Sequence, residues 1–173
     1  MSWSNRPSAA AGAYPRADEV EAILDQIDQL TDPGSGTWTD FSSTLAWTSS
    51  GAAPAFGNAT KLAEYRRPSG SDMVDVRIKI TFGNTTTFGT GVYFLSLPAN
   101  AATNQIAFGA GWAYALDAGI QEYGGICKIE NATTFRMIPA SNNTDSVTNW
   151  GQTAPFTFGN TDVLAAQLRY QAT

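Results

Sequence analysis

Ten residues in the middle of the chain, Met73-Val74-Asp75-Val76-Arg77-Ile78-Lys79-Ile80-Thr81-Phe82, alternate with a period of two. Val74, Val76, Ile78, Ile80 and Phe82 fall on one side, and Asp75, Arg77 and Lys79 on the other. Successive side chains of a strand point to opposite faces, so this segment buries one face and wets the other, the pattern of an antiparallel sheet. A second apolar run, Val92 to Pro98, follows the Gly/Thr/Asn-rich stretch from Gly83 to Gly91, and the pair reads as a hairpin with a long polar tip. Shorter strand-like runs occur around Trp38 to Phe41, Leu45 to Thr48, Leu62 to Arg66, Ile106 to Leu116, Ile126 to Glu130 and Thr134 to Pro139. Leu164, Ala166, Leu168 and Tyr170 alternate with Ala165, Gln167 and Arg169 in a last one. Eight or nine short strands separated by turn signals predict a mostly β fold, an antiparallel β-sandwich or jelly-roll-like domain over residues 38–173. The polar stretch from Asn142 to Gly151 is expected to be a loop.

The first 37 residues break this pattern. Residues 1–17 are rich in Ala, Pro, Ser and Gly and carry Arg6 and Arg16 with no acid, which predicts an extended arm. Trp3, Arg6, Tyr14 and Arg16 are its candidate anchoring residues. In residues 18–31, Val20, Ile23, Ile27 and Leu30 are spaced by three, four and three, the seam of a short coiled coil or the apolar face of a helix that lies on its own β domain. Asp18 suits the N-cap with Glu21 three residues on, and the Asp32-Pro33-Gly34-Ser35-Gly36 run stops the helix. Isoleucine in the d register favours three or more strands over two, so the expectation is an oligomerising helix that makes a homotrimer, followed by a Gly/Ser linker over 32–37. Two heptads alone are marginal in water, so such a trimer needs help from other contacts.

Composition closes several function classes. Only 14% of the residues are charged, so the surface must be made polar by Thr, Ser, Asn and Gln. A net charge of -5 with no basic run in the β-rich part argues against nucleic acid as a partner. No run approaches the roughly 20 apolar residues of a membrane span, and no signal-peptide core precedes the domain, which predicts synthesis in a cytoplasm with no membrane partner. Histidine is absent, which removes imidazole bases, catalytic triads and histidine metal sites. A single cysteine, Cys127, forms no internal disulfide and reads as a small apolar residue of the interior. Paired carboxylates would suffice for a glycosidase, but of Asp40, Glu64, Asp72, Asp75, Asp117, Glu122, Glu130, Asp145 and Asp162 most sit in expected turns or on wet strand faces. The chain is expected to be no enzyme and to need no metal or cofactor.

Trp112 and Tyr114 share one face of a strand with Ala113 and Ala115 on the other. Core packing or a subunit interface accounts for such a pair, and the sharper reading is a platform for sugar rings.

The stretch from Val74 to Pro98, with Leu45-Ala46-Trp47 and Gly57-Asn58-Ala59-Thr60-Lys61-Leu62-Ala63-Glu64-Tyr65 leading into it, resembles a module of structural proteins from phages that infect actinobacteria. Leu95 stands where that module usually carries Phe. The resemblance spans about Trp38 to Pro98 and implies a β-rich knob that oligomerises in a head-fibre, capsid-decoration or minor tail protein. It implies a location on the virion surface and a major capsid protein, or another virion protein, as partner of the N-terminal arm. The alternative is a tail-tip receptor-binding protein that reads host surface glycans.

Overall fold

The computed structural model describes residues 36–140 and 149–173. The arm, the oligomerising helix and most of the linker lie outside the described residues, and with them Trp3, Arg6, Tyr14, Arg16, Val20, Ile23, Ile27 and Leu30. The β domain is a compact unit from Gly36 to Thr173.

Its strands are β1 (Thr39–Asp40), β2 (Trp47–Ser49), β3 (Thr60–Arg66), β4 (Met73–Thr81), β5 (Tyr93–Ser96), β6 (Gly109–Asp117), β7 (Gln121–Ile129), β8 (Thr134–Pro139) and β9 (Val163–Gln171). All pair antiparallel in one curled sheet of order β1-β3-β4-β9-β6-β7-β8-β5-β2. The antiparallel β class is as the alternation predicts. The strands form a single hydrogen-bonded sheet that bends around its own core, and the two shortest, β1 and β2, lie at its edges. Short edge strands offer little backbone for unwanted pairing.

The centre of the sheet follows from matching apolar faces. In β4 the inward residues Val74, Val76, Ile78 and Ile80 oppose Tyr170, Leu168, Ala166 and Leu164 of β9, and all eight are buried. Burying a Val, Ile or Leu side chain contributes roughly 1.5–3 kcal/mol, so a one-residue slip of this register would forfeit most of the interior. Towards β5 and β2 the core becomes aromatic. Trp47 stacks on Phe82 at 5.4 Å and meets Tyr93 edge-on at 5.0 Å, and Phe82 meets Phe88 at 5.0 Å and Phe158 at 5.4 Å.

Three local expectations are corrected. First, β4 and β5 do not form a hairpin. Both edges of β4 are occupied, by β3 and β9, and β5 pairs with β2 and β8. The stretch from Gly83 to Gly91 is instead a crossover gripped by the loop before β3. Asn58 Oδ1 accepts from the Thr85 N–H at 3.0 Å and from its hydroxyl at 2.8 Å, and the Asn58 amide donates to Asn84 at 2.9 Å. Gly57 has a φ of +56°, and a Cβ there would run into the Thr85 carbonyl. The Gly-Asn step and the Gly-Asn-Thr-Thr turn that carry the phage resemblance are therefore two halves of one clasp.

Second, the expected loop from Asn142 to Gly151 contains a core anchor. Residues 141–148 lie outside the described set, but Trp150 is fully buried. Its N–H donates to Met137 at 3.0 Å and its carbonyl accepts from Tyr93 at 2.9 Å, tying β8 to β5. Third, β7 starts at Gln121, five residues before the expected Ile126, and closes a tight hairpin with β6. The Gln-Glu-Tyr-Gly-Gly run shows no apolar alternation because it pairs on the exposed end of that hairpin.

Candidate functional site

The outer face of the sheet holds the candidate site. Along one row the outward residues are Glu64 (β3), Arg77 (β4), Gln167 (β9), Trp112 (β6), Ile126 (β7) and Ile138 (β8). Its β3–β4 end is charged and its β6–β8 end apolar. Trp112 is 52% exposed and Ile126 40% exposed, large fractions for apolar side chains inside long strands.

Of the two aromatics singled out in β6, Trp112 stands on this surface and Tyr114 is half-buried beside it, while Ala113 and Ala115 fill the interior. The pair is not part of the core. Hydrogen bonding to Glu122, which lies diagonally across on β7 opposite Leu116, raises the phenol above its ordinary range.

Trp112 has a second tryptophan for a neighbour across an open groove of about 390 Å³, lined by Trp38, Arg66, Asp75, Ala110, Gly111, Trp112, Gln167, Leu168 and Arg169. The size falls in the roughly 300–1,000 Å³ range of small-ligand sites. Trp38, just before β1, lies over the guanidinium of Arg77 at 4.3 Å and that of Arg66 at 5.0 Å. Such cation–π contacts hold the indole against β3 and β4. The guanidiniums are themselves fixed by carboxylates. Arg66 Nε donates to Asp75 at 3.1 Å, Arg169 Nε lies 3.2 Å from the other Asp75 oxygen, and Arg77 Nε donates to Glu64 at 2.6 Å. One indole wall, an ion-paired rim and a second indole wall thus stand around a floor made by β9.

That floor is low because of Gly111. The register of β6 shifts between Gly109 and Gly111, a bulge, and a Cβ on Gly111 would run into the Gln167 carbonyl and the Leu168 backbone. Glycine lets β6 and β9 close up here while the bulge turns Trp112 to the groove.

The remaining candidates are accounted for separately. Cys127 is buried with its thiol 3.0 Å from the Trp112 carbonyl, and burial pushes it up to about 12, far from a reactive thiolate. Asp162 is buried and spends its two oxygens on the Ala118 N–H at 2.9 Å and the Gly159 N–H at 2.6 Å. Glu130 lies 3.0 Å from Arg136. Asp145 lies outside the described residues. Among the described residues no three His, Cys, Asp or Glu side chains gather as metal ligands would, and no helix is long and apolar enough to cross a membrane.

Sequence reasoning missed Trp38, Arg66, Asp75, Arg77 and Arg169 as site residues. Each occupies a wet-side strand position or flanks a strand, where solvated surface is the default reading. Their meeting with Trp112 depends on β9 inserting between β4 and β6. Comparison of the chain with protein-family models, with curated proteins and with solved structures found no match.

Proposed function

We propose that the chain is a non-enzymatic structural protein of a phage virion, a capsid-decoration or head-fibre protein that displays a jelly-roll-like knob outward as a homotrimer and docks on the shell through residues 1–17. The observation that carries the reading is the closure of the β domain as a unit of its own from Gly36, with a core assembled from Phe41 to Ala172. A knob that completes its own core leaves the preceding segment available for assembly, and the heptad pattern of Val20, Ile23, Ile27 and Leu30 suits that task. The clasp between Gly57-Asn58 and Gly83 to Thr86 gives a structural reason for the residues on which the phage resemblance rests. Apolar side chains left in the open outside the groove, Ile126 and Phe108 among them, suit burial against neighbouring chains. Mass spectrometry of virions stripped of their tails is expected to detect the protein, and its absence from such particles would overturn the decoration reading.

A second reading, a receptor-binding protein that recognises host surface glycans, is favoured by one specific observation: the groove between Trp38 and Trp112. Antibody labelling of the tail tip and loss of adsorption on deleting the gene would establish it.

A further inference from the structure

We infer that the groove between Trp38 and Trp112 binds an acidic saccharide, a sugar ring bearing a carboxylate, seated against the Trp112 indole with its acid group toward Arg66 and Arg169. The inference deepens the glycan-recognition reading and stands whether or not the chain belongs to a virion.

Width comes first. Trp38 covers β3 and β4 through its contacts with Arg66 and Arg77, and Trp112 rises from β6, so the floor between the walls is β9 alone. Adjacent strands are about 4.8 Å apart, which sets β4 and β6 about 10 Å from one another. A slot with one strand for its floor takes a single flat ring and is too narrow for a helix or a folded partner.

Chemistry comes next. An indole presents a negatively polarised face to the C–H side of a pyranose, and the 52% exposure of Trp112 leaves that face open. Polar groups must then meet the hydroxyls at the ring edge, and Gln167 and Asp75 lie where the floor meets the rim. The charge balance selects acid over neutral sugar. Among the residues that line the groove, two guanidiniums, Arg66 and Arg169, face one carboxylate, Asp75, so the rim carries one net positive charge on a chain whose net charge is -5. Asp75 engages both Arg66 and Arg169 at Nε, which orients the two planar forks while its single charge leaves one cation uncompensated. A guanidinium fork fits a carboxylate edge to edge, and Arg169, 57% exposed at the side chain, is the open one. The groove does not read as a nucleic-acid track, because it offers one uncompensated cation and not the run of basic residues that follows a phosphate backbone.

The test uses the full chain with tri-galacturonic acid as probe and its carboxyl-reduced, neutral counterpart as control. Isotope-labelled protein is titrated and followed by indole N–H resonances. The acidic trimer is expected to shift the signals of Trp38 and Trp112 and to leave those of Trp47 and Trp150, both buried, in place. Trp112→Ala and Arg169→Gln are each expected to weaken binding about tenfold or more, the effect of one charge-assisted contact or one stacking face. Lys128→Gln, a loss of positive charge on β7 away from the groove, is expected to bind as the parent does. Trp112 and Arg169 are exposed, so both variants should fold, which the unchanged Trp47 and Trp150 resonances report directly. Equal binding of the neutral trimer would overturn the acidic assignment. Absence of binding, or an equal loss in Lys128→Gln, would overturn the site.

Discussion

Asp162 is the one buried carboxylate of the described core, 5% exposed, and among the described residues no cation pairs with it. Its Oδ1 accepts the Ala118 N–H from the turn of the β6–β7 hairpin and its Oδ2 accepts the Gly159 N–H from the approach to β9. Asp162→Ala removes both acceptors and unpins two segments that are remote in sequence. A hydrogen bond to a charged group contributes roughly 1.5–3 kcal/mol, and a donor left unpaired inside costs about as much. Ala118 is exposed, so water recovers part of its loss, whereas Gly159 is half-buried and recovers less. The expected destabilisation is about 3 kcal/mol by urea unfolding. Asp162→Asn keeps one acceptor oxygen and turns an N–H toward the other donor, so it should fall between, at about 1–2 kcal/mol. The order Ala worse than Asn worse than parent is the signature of the two-acceptor role. An Asp162→Ala protein within about 0.5 kcal/mol of the parent would refute it, as would an Asn variant worse than the Ala variant.

Two further outcomes are expected. Burial raises the Cys127 thiol from 9.0 to about 12 and the Tyr170 phenol from 10.0 to about 12. A raised folded value means that the neutral form is favoured inside, so stability is full below the unfolded value and falls as pH rises through the folded one; urea midpoints should hold steady to about pH 9 and decline from there to 12, and in Cys127→Ala the decline should begin about one unit later, with coincident curves rejecting the assignment. Replacing Ile23 and Ile27 together by Asp places six carboxylates in the seam of a trimer, so light scattering should show the mass of the full chain falling towards that of the monomer, and a parent that is already monomeric would reject the coiled-coil proposal.

Where one face of a strand is buried, the sequence says so: each strand overlaps a run that period two or apolar clustering marks, β7 only in its second half, and Val74 to Phe82 does so almost residue by residue. Pairing is another matter. The Gly83 to Gly91 stretch has hairpin composition because glycine and threonine serve any close approach of backbones, and here the approach is to the loop before β3. Trp150 carries no periodic signal because it enters the core from an irregular segment, held by Met137 and Tyr93, and a lone aromatic among Asn, Thr and Ser looks the same whether it points inward or out.

The groove shows why site and fold differ in legibility. The sequence of β6 sets Trp112 and Tyr114 on one face and Ala113 and Ala115 on the other, but leaves open which face looks outward, and only the burial of the two alanines decides it. What faces Trp112 depends on strand order, and the decisive strand is the last one. With β9 paired elsewhere, β4 and β6 would be adjacent or apart, and Trp112 would not face the Trp38 and Arg77 pair across a one-strand gap. Inserted between them in register, Ala166 against Ile78 on one side and against Ala113 on the other, it sets the two indoles one strand's breadth apart. The distance between the two walls then follows from the backbone ladder, about 4.8 Å per strand, and Gly111 keeps that ladder intact because any side chain there would strike the Gln167 carbonyl of β9.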